Sequence, residues 1–263
     1  MKIRTAASSL AAVRGSGRPL RRGDAGLAKD GAPSISRERS RTSDLSSRGD
    51  EDMAELKLYG FDGSTYVRTV KMLLAEKEFT AFDQDPVNVL KGEPHAPEHL
   101  QRHPFGKVPV IEYRGFRVYE TAAIARYLNS MITGRDLVPA EAENVARMDM
   151  AIGIIDSYGY PAMLGGVAAY HLFPDFVGGK DEAKHHEALK TTRTVLTELM
   201  RLRGKGPWIA GEDLSLADLY LAPVFAYVAQ TPHADEFNDI PGFADWWGAA
   251  QQLESFRATK PKS

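Results

Sequence analysis

At 263 residues, with 43% hydrophobic and 26% charged side chains, the chain has an ordinary soluble composition and is long enough to bury a sizeable core in one or two domains. Formal net charge is −2, and residues 1–52 hold 11 basic and 7 acidic side chains, which leaves the remainder at −6. A mildly acidic body argues against a nucleic-acid binder, because phosphate neutralisation needs a basic face. With no cysteine, disulfides, thiolate zinc sites, cysteine nucleophiles and dithiol redox chemistry fall away together, and no apolar run reaches the length of a membrane span.

Residues 1–52 are rich in Ser, Arg, Gly and Ala, nearly lack aromatic side chains and show no hydrophobic periodicity, so a disordered extension is expected. The stretch to Arg22 is basic without acid, as in an organelle transit peptide, whereas Asp24, Asp30, Glu38 and the acidic run Asp50, Glu51, Asp52 oppose that reading. An artificial leader or an upstream mis-start, with Met53 as the natural first residue, is the competing account. Leu56 to Tyr59 reads as a strand, and Gly60 to Gly63 as a turn. Ser64 and Thr65 then open a helix whose apolar positions Val67, Val70, Leu74 and Ala75 recur at helical spacing. Phe79 to Gln84 is a weaker strand, completing β-α-β with a parallel pair. Residues 86–104 are polar and broken by prolines, with room only for a short helix near Glu98 to Gln101.

Phe105 to Thr121 holds two β-rich runs either side of Arg114 and Gly115, a tight-turn signal, and passes into a helix over Ala122 to Asn129. Pro109 cannot donate to a ladder, so it belongs at a strand edge or start and is a candidate cis peptide. Glu120 and Thr121 fall at a helix start, where free N–H groups and the positive dipole end favour an anion. An open strand edge beside such a terminus suits a small peptide-like anion. After residues 137–141 the pattern is wholly helical. Val145, Met148, Ile152 and Ile155 mark one long helix, and Ala183 to Leu202 a second. A third begins at Ser215 and a fourth at Pro241, read as a first-turn proline.

The order β-α-β-α-β-β-α over residues 55–129 resembles the thioredoxin fold, and from Met53 onward the chain resembles a serine-type glutathione S-transferase of the phi or theta kind. Leu58, Tyr59 and Gly60 through Ser64, Thr65 and Arg68 are similar to that family's opening. The run His103-Pro104-Phe105-Gly106-Lys107-Val108-Pro109, followed by Glu120 and Thr121, is similar to its glutathione-binding run, with His103 at the usual Asn position and Thr121 at the usual Ser. Trp208 to Asp218 resembles a signature of the helical half. The implied fold class is α/β plus all-α: an N-terminal thioredoxin-like glutathione-binding domain (53–134) followed by a C-terminal helical bundle (141–257).

The resemblance implies a cytoplasmic, homodimeric detoxification enzyme that adds the glutathione thiolate to small apolar electrophiles, with glutathione as co-substrate and no further cofactor. Ser64 is the implied catalytic residue, lowering the thiol pKa by hydrogen bonding to the thiolate. Read locally, Ser64 is a plain helix N-cap, and Thr65 is a rival for the catalytic role. By the same resemblance Val108 and Pro109 meet the cysteinyl backbone, Glu120 and Thr121 the γ-glutamyl end, and Lys107 and His95 the glycyl carboxylate. Tyr158, Tyr160 and Met163 are the expected wall of the second-substrate pocket, and Phe105 resembles an aromatic key inserted into a partner subunit. Ser215 and Asp218 read as a structural capping box. No metal site is expected. His99 and His103 lack the glutamate of a zinc helix, and the adjacent His185 and His186, pointing about 100° apart, read as surface residues. The alternatives are a non-catalytic ligand- or protein-binding member of the fold, or a glutathione-dependent peroxidase or isomerase.

Overall fold

The computed structural model describes residues 55–261; the expected extension over 1–52 lies outside the described residues. Strand β1 (Leu56–Tyr59) pairs in parallel with β2 (Phe82–Asp85) across helix α1 (Thr65–Glu76), which is the expected β-α-β unit. Strand β3 (Val110–Tyr113) runs antiparallel to β1, and β4 (Phe116–Tyr119) antiparallel to β3, giving the order β2-β1-β3-β4. Arg114 and Gly115, with φ of 51° and 78°, make the hairpin turn. Helix α2 (Pro97–Leu100) is a single turn, and α3 (Thr121–Met131) follows β4 directly. The Val108–Pro109 peptide is cis, as the proline suggested.

Strand β3 is interior, between β1 and β4, so the expectation of an open strand edge needs correction. The unpaired backbone belongs instead to the run before the strand. Val108 lies beyond the last ladder pair, Tyr59 with Val110, and neither its N–H nor its C=O is hydrogen-bonded among the described residues. A proline cannot extend the ladder, so pairing stops there.

The helical half begins with α4 (Ala142–Ile154), which continues through wider, π-type turns over Ile155–Gly159 and Pro161–Ala168 and closes as α5 (Ala169–Leu172). Pro161 sits within this wide stretch, where its missing N–H and its ring disfavour ordinary helical bonding. Helix α6 (Glu182–Arg203) and α7 (Leu216–Val228) follow. Helix α8 (Phe243–Gln252) is capped by Gly242 at φ 82°, so Pro241 lies before the cap rather than in the first turn. A short α9 (Glu254–Ala258) ends the fold.

One continuous core joins both halves. Leu56, Leu58 and Ile111 of the sheet, Val70 and Leu73 of α1, and Leu219 and Phe225 of α7 are all fully buried within it. Hydrogen bonds cross the same junction: Thr69 donates to the Leu219 carbonyl at 2.9 Å, and Arg68 to the Phe256 carbonyl at 2.7 Å. Arg68 is buried and stacks over the Phe256 ring at 4.0 Å, so in the opening motif it serves packing.

Candidate active site

The loop after β1 delivers Ser64 to the head of α1. Its extended backbone and the Val67 N–H donated to its Oγ at 3.3 Å make it the N-cap, so the local reading is realised. Capping and chemistry do not conflict here, because Ser64 is half-buried and lines a cleft of about 950 Å³. Thr65, one residue on, is 2% exposed, and its Oγ1 is shut off from solvent without a hydrogen-bond partner. The loop is fixed from both sides. Tyr227 of α7 donates to the Gly63 carbonyl at 2.6 Å, and Gln84 of β2 donates to the Gly60 carbonyl at 2.9 Å.

Three further segments meet Ser64 at this cleft. Lys107, Val108 and Pro109 line it with His95, which is exposed on a one-turn helix. Gly106 makes that approach possible, since a Cβ there would lie 2.6 Å from His95 Nδ1, and its φ of +59° also favours glycine. His99 holds the same run by bonding the Lys107 carbonyl through Nε2 at 2.8 Å. Glu120 and Thr121 enter from the start of α3. Glu120 stands at the N-cap of α3 with φ 68° and ψ 118°, and its side chain makes no cap bond. Strained backbone of this kind persists where surrounding structure imposes it, commonly at binding sites.

The helical half supplies the opposite wall, and the expected trio separates. Tyr160 lines the cleft, Met163 is 0% exposed in the core, and Tyr158 is 61% exposed beside a different, shallower groove against α6. The wide turns explain this. Over this stretch Ile155, Gly159, Met163 and Val167 form the buried stripe, and Asp156, Tyr160 and Leu164 the neighbouring stripe that lines the cleft. Both have four-residue spacing, longer than the 3.6-residue period on which a sequence reading relies.

Several lining residues went unrecognised in sequence: Tyr66, Asp156, Leu164, Phe173, Phe176 and Tyr227. Tyr66 carried a local signal, being an aromatic side chain two residues after the candidate serine. It stacks on Tyr160 at 4.8 Å and donates to Asp156 Oδ1 at 2.6 Å. Partial desolvation at the cleft wall raises the Asp156 pKa from its ordinary value, against the Tyr66 hydrogen bond, and nearby Glu120 raises it further. Burial also raises the phenol of Tyr66, so it stays protonated and donating.

The other singled-out residues lie elsewhere. Ser215 and Asp218 do form a cap, buried completely, and Asp218 also accepts from Ile209 N–H and from the Trp246 indole at 2.9 Å. His99 and His103 do not share a helix face, because α2 ends at Leu100. His185 is 5% exposed and therefore is no surface residue, in contrast to His186. Phe105 is 68% exposed.

A family model described as glutathione S-transferase, N-terminal domain, matches residues 54–130, and the corresponding C-terminal domain model matches 160–253. Glutathione S-transferase PM239X14 of Arabidopsis thaliana is 31% identical over 208 residues, covering 76% of this chain and 94% of the relative. Among solved structures, glutathione transferase F7 from Populus trichocarpa superposes with a TM-score of 0.70 at 26% identity, covering 78% of this chain and 97% of that one. Glutathione S-transferase I from maize, in complex with an atrazine glutathione conjugate, gives 0.68 at 29% identity, covering 79% and 97%.

Proposed function

The chain belongs to the glutathione S-transferase family, and from that premise we propose that Ser64 activates the glutathione thiol for attack on flat, apolar electrophiles. The observation that carries this reading is the Ser64 hydroxyl at the cleft, accepting from Val67 N–H at the head of a 12-residue helix. A hydroxyl has one hydrogen and two lone pairs, so one lone pair caps the helix while the hydrogen is donated to a thiolate. That bond, with the positive end of α1, favours the charged sulfur and lowers its pKa. The serine forms no covalent intermediate. With an aryl halide, the thiolate forms the carbon–sulfur bond, halide departs with its bonding electrons, and the thiol proton has already passed to solvent. The shut-off hydroxyl of Thr65 supports Ser64 over its neighbour.

Glutathione lies along the N-terminal side of the cleft. The unpaired backbone of Val108, before cis Pro109, takes the cysteinyl amide; Glu120 and Thr121 take the γ-glutamyl end; Lys107 and His95 take the glycyl carboxylate. The electrophile lies against Tyr66, Tyr160, Leu164, Phe173 and Phe176. The maize relative, whose structure holds a glutathione conjugate of atrazine, supports halide displacement from a flat ring as the reaction class. Detoxification in the cytoplasm by a homodimer is the setting that accords with the family.

Glutathione titration by calorimetry, followed by turnover with aryl halides, isothiocyanates and hydroperoxides, tests the reading. Ser64→Ala is expected to lower kcat by about 10²-fold or more, and to raise the bound thiol pKa, read from thiolate absorbance, with glutathione affinity largely kept. Full activity in that variant would remove Ser64 from the mechanism. Glutathione binding without any turnover would make the protein a ligand-binding member of the fold, and turnover of hydroperoxides alone would make it a peroxidase.

A further inference from the structure

Three histidines from separate parts of the helical half converge: His171 at the end of α5, His185 on α6 and His233 after α7. Each ring offers a nitrogen such that the three lie within 4.8 Å of one another. The ring centroids form a nearly equilateral triangle, with sides of 5.0, 5.0 and 5.2 Å.

Hydrogen bonding fixes which atoms face inward. His185 Nδ1 is 3.1 Å from the Gly166 carbonyl, which only accepts, so Nδ1 carries the hydrogen. His233 Nδ1 lies 2.5 Å from the Glu236 carboxylate and is likewise the donor. In neutral rings both Nε2 atoms then hold lone pairs, and they face each other at 3.1 Å. Two lone pairs at that distance repel unless a proton or a cation lies between them. His171 adds a buried Nε2 with no hydrogen-bond partner. Imidazoles whose outer N–H groups are tied to a carbonyl and a carboxylate are oriented as metal ligands commonly are.

We propose that His171, His185 and His233 bind a zinc ion through three imidazole nitrogens, with water in a fourth position, at a site separate from the glutathione cleft. Adjacent nitrogens around tetrahedral zinc are about 3.3 Å apart, given bonds of about 2.0–2.1 Å. The His185–His233 pair therefore needs almost no movement, and His171 a modest ring shift. An all-imidazole set suits zinc and its transition-metal neighbours and disfavours magnesium and calcium, which take oxygen ligands.

The surroundings hold the ligands in place. Tyr170 stacks on His185 at 4.2 Å. Arg193 of α6 donates to the Glu236 carbonyl at 2.7 Å and to Asp239 at 2.8 Å, fastening the turn that carries His233. At Gly166 a Cβ would come within 2.2 Å of Ala188 Cβ, so the missing side chain is what lets its backbone reach α6 and orient His185. An ion here would brace α5, α6 and the turn after α7, with His171 two residues before Phe173 of the cleft wall.

The test uses the full chain, stripped with chelator, titrated with zinc chloride by calorimetry and with cobalt(II) by visible absorption. One ion per chain, a tetrahedral cobalt spectrum and a Tm rise of roughly 5–10 °C at free zinc about 100-fold above Kd are expected. His171→Ala and His233→Gln should each weaken zinc binding at least tenfold, while His186→Ala, which alters the exposed neighbour, leaves it unchanged. No zinc binding at about 100 μM, or binding that survives both ligand variants, overturns the site. A Tm that follows pH through the histidine range without any zinc response would overturn it too, and assign a shared proton to the cluster.

Discussion

His103 shows how one residue couples the run leading into β3 to pH. Its ring is 2% exposed, Nδ1 accepts from Phe105 N–H at 3.3 Å, and Nε2 lies 3.7 Å from Glu120 Oε1. Burial lowers its pKa, only partly opposed by Glu120. The unfolded chain therefore takes up the proton first, near pH 6.5. Stability is full above that value and is lost as pH falls through the depressed folded pKa. His103→Asn should flatten the drop in urea midpoint between about pH 7.5 and 5.5; an unchanged drop would assign it to other groups. Glu120 offers a second test at this scale. Glu120→Gly removes the strain at φ 68° and the carboxylate together. It should leave stability within about 1 kcal/mol, yet raise the glutathione Kd about tenfold or more, measured by denaturation and calorimetry on the same sample.

At the scale of elements, the cap of α7 and the widened stretch after α4 behave oppositely. The cap is a local device made structural by burial: four donors, from Ile209, Ser215 N–H, Ser215 O–H and Trp246, converge on Asp218. Burial raises its carboxyl pKa while those donors pull it down. Asp218→Ala leaves the donors buried without an acceptor and should cost about 3 kcal/mol, read as a Tm fall of roughly 6–12 °C. A fall no larger than that of an exposed control would show that water replaces the carboxylate. The widened stretch does its work by register instead. A helix of ordinary pitch would not give both Met163 to the core and Tyr160 to the cleft on four-residue stripes, and that register sets the wall facing Ser64.

For the molecule as a whole, the site exists only because the two halves are locked together. Tyr227 reaches the Gly63 carbonyl, Tyr66 reaches Asp156, and Ser255 of α9 donates to Glu76 of α1 at 2.5 Å. Outside that lock, aromatic surface remains exposed: Phe105 at 68%, and Phe116 and Tyr119 on β4, a sheet-edge strand, at 58% and 39%. Exposed apolar side chains of this size accord with a second copy covering them. Phe105→Ala should shift the protein toward monomer in sedimentation velocity at micromolar concentration, and a monomer already present in the unsubstituted protein would remove Phe105 from that role. No helix among the described residues is long and apolar enough to cross a membrane.

What the sequence determined by itself is what depends on near neighbours. The cap at Ser64, the turn at Arg114 and Gly115, the cis bond before Pro109 and the box at Ser215 and Asp218 each rest on bonds within a few residues, and so were legible as patterns. Most core positions of α1 and α6 followed from their period for the same reason, whereas Ala75 and Ala183, counted with them, are exposed. The tertiary structure alone decided that β3 is interior, that Tyr160 rather than Tyr158 or Met163 meets the cleft, and that His185 pairs with His171 and His233 rather than facing solvent. Those outcomes depend on chain pairing, a change of helix pitch and side chains brought together from distant segments. Local periodicity carries no record of them, because their partners are close only once the core has formed.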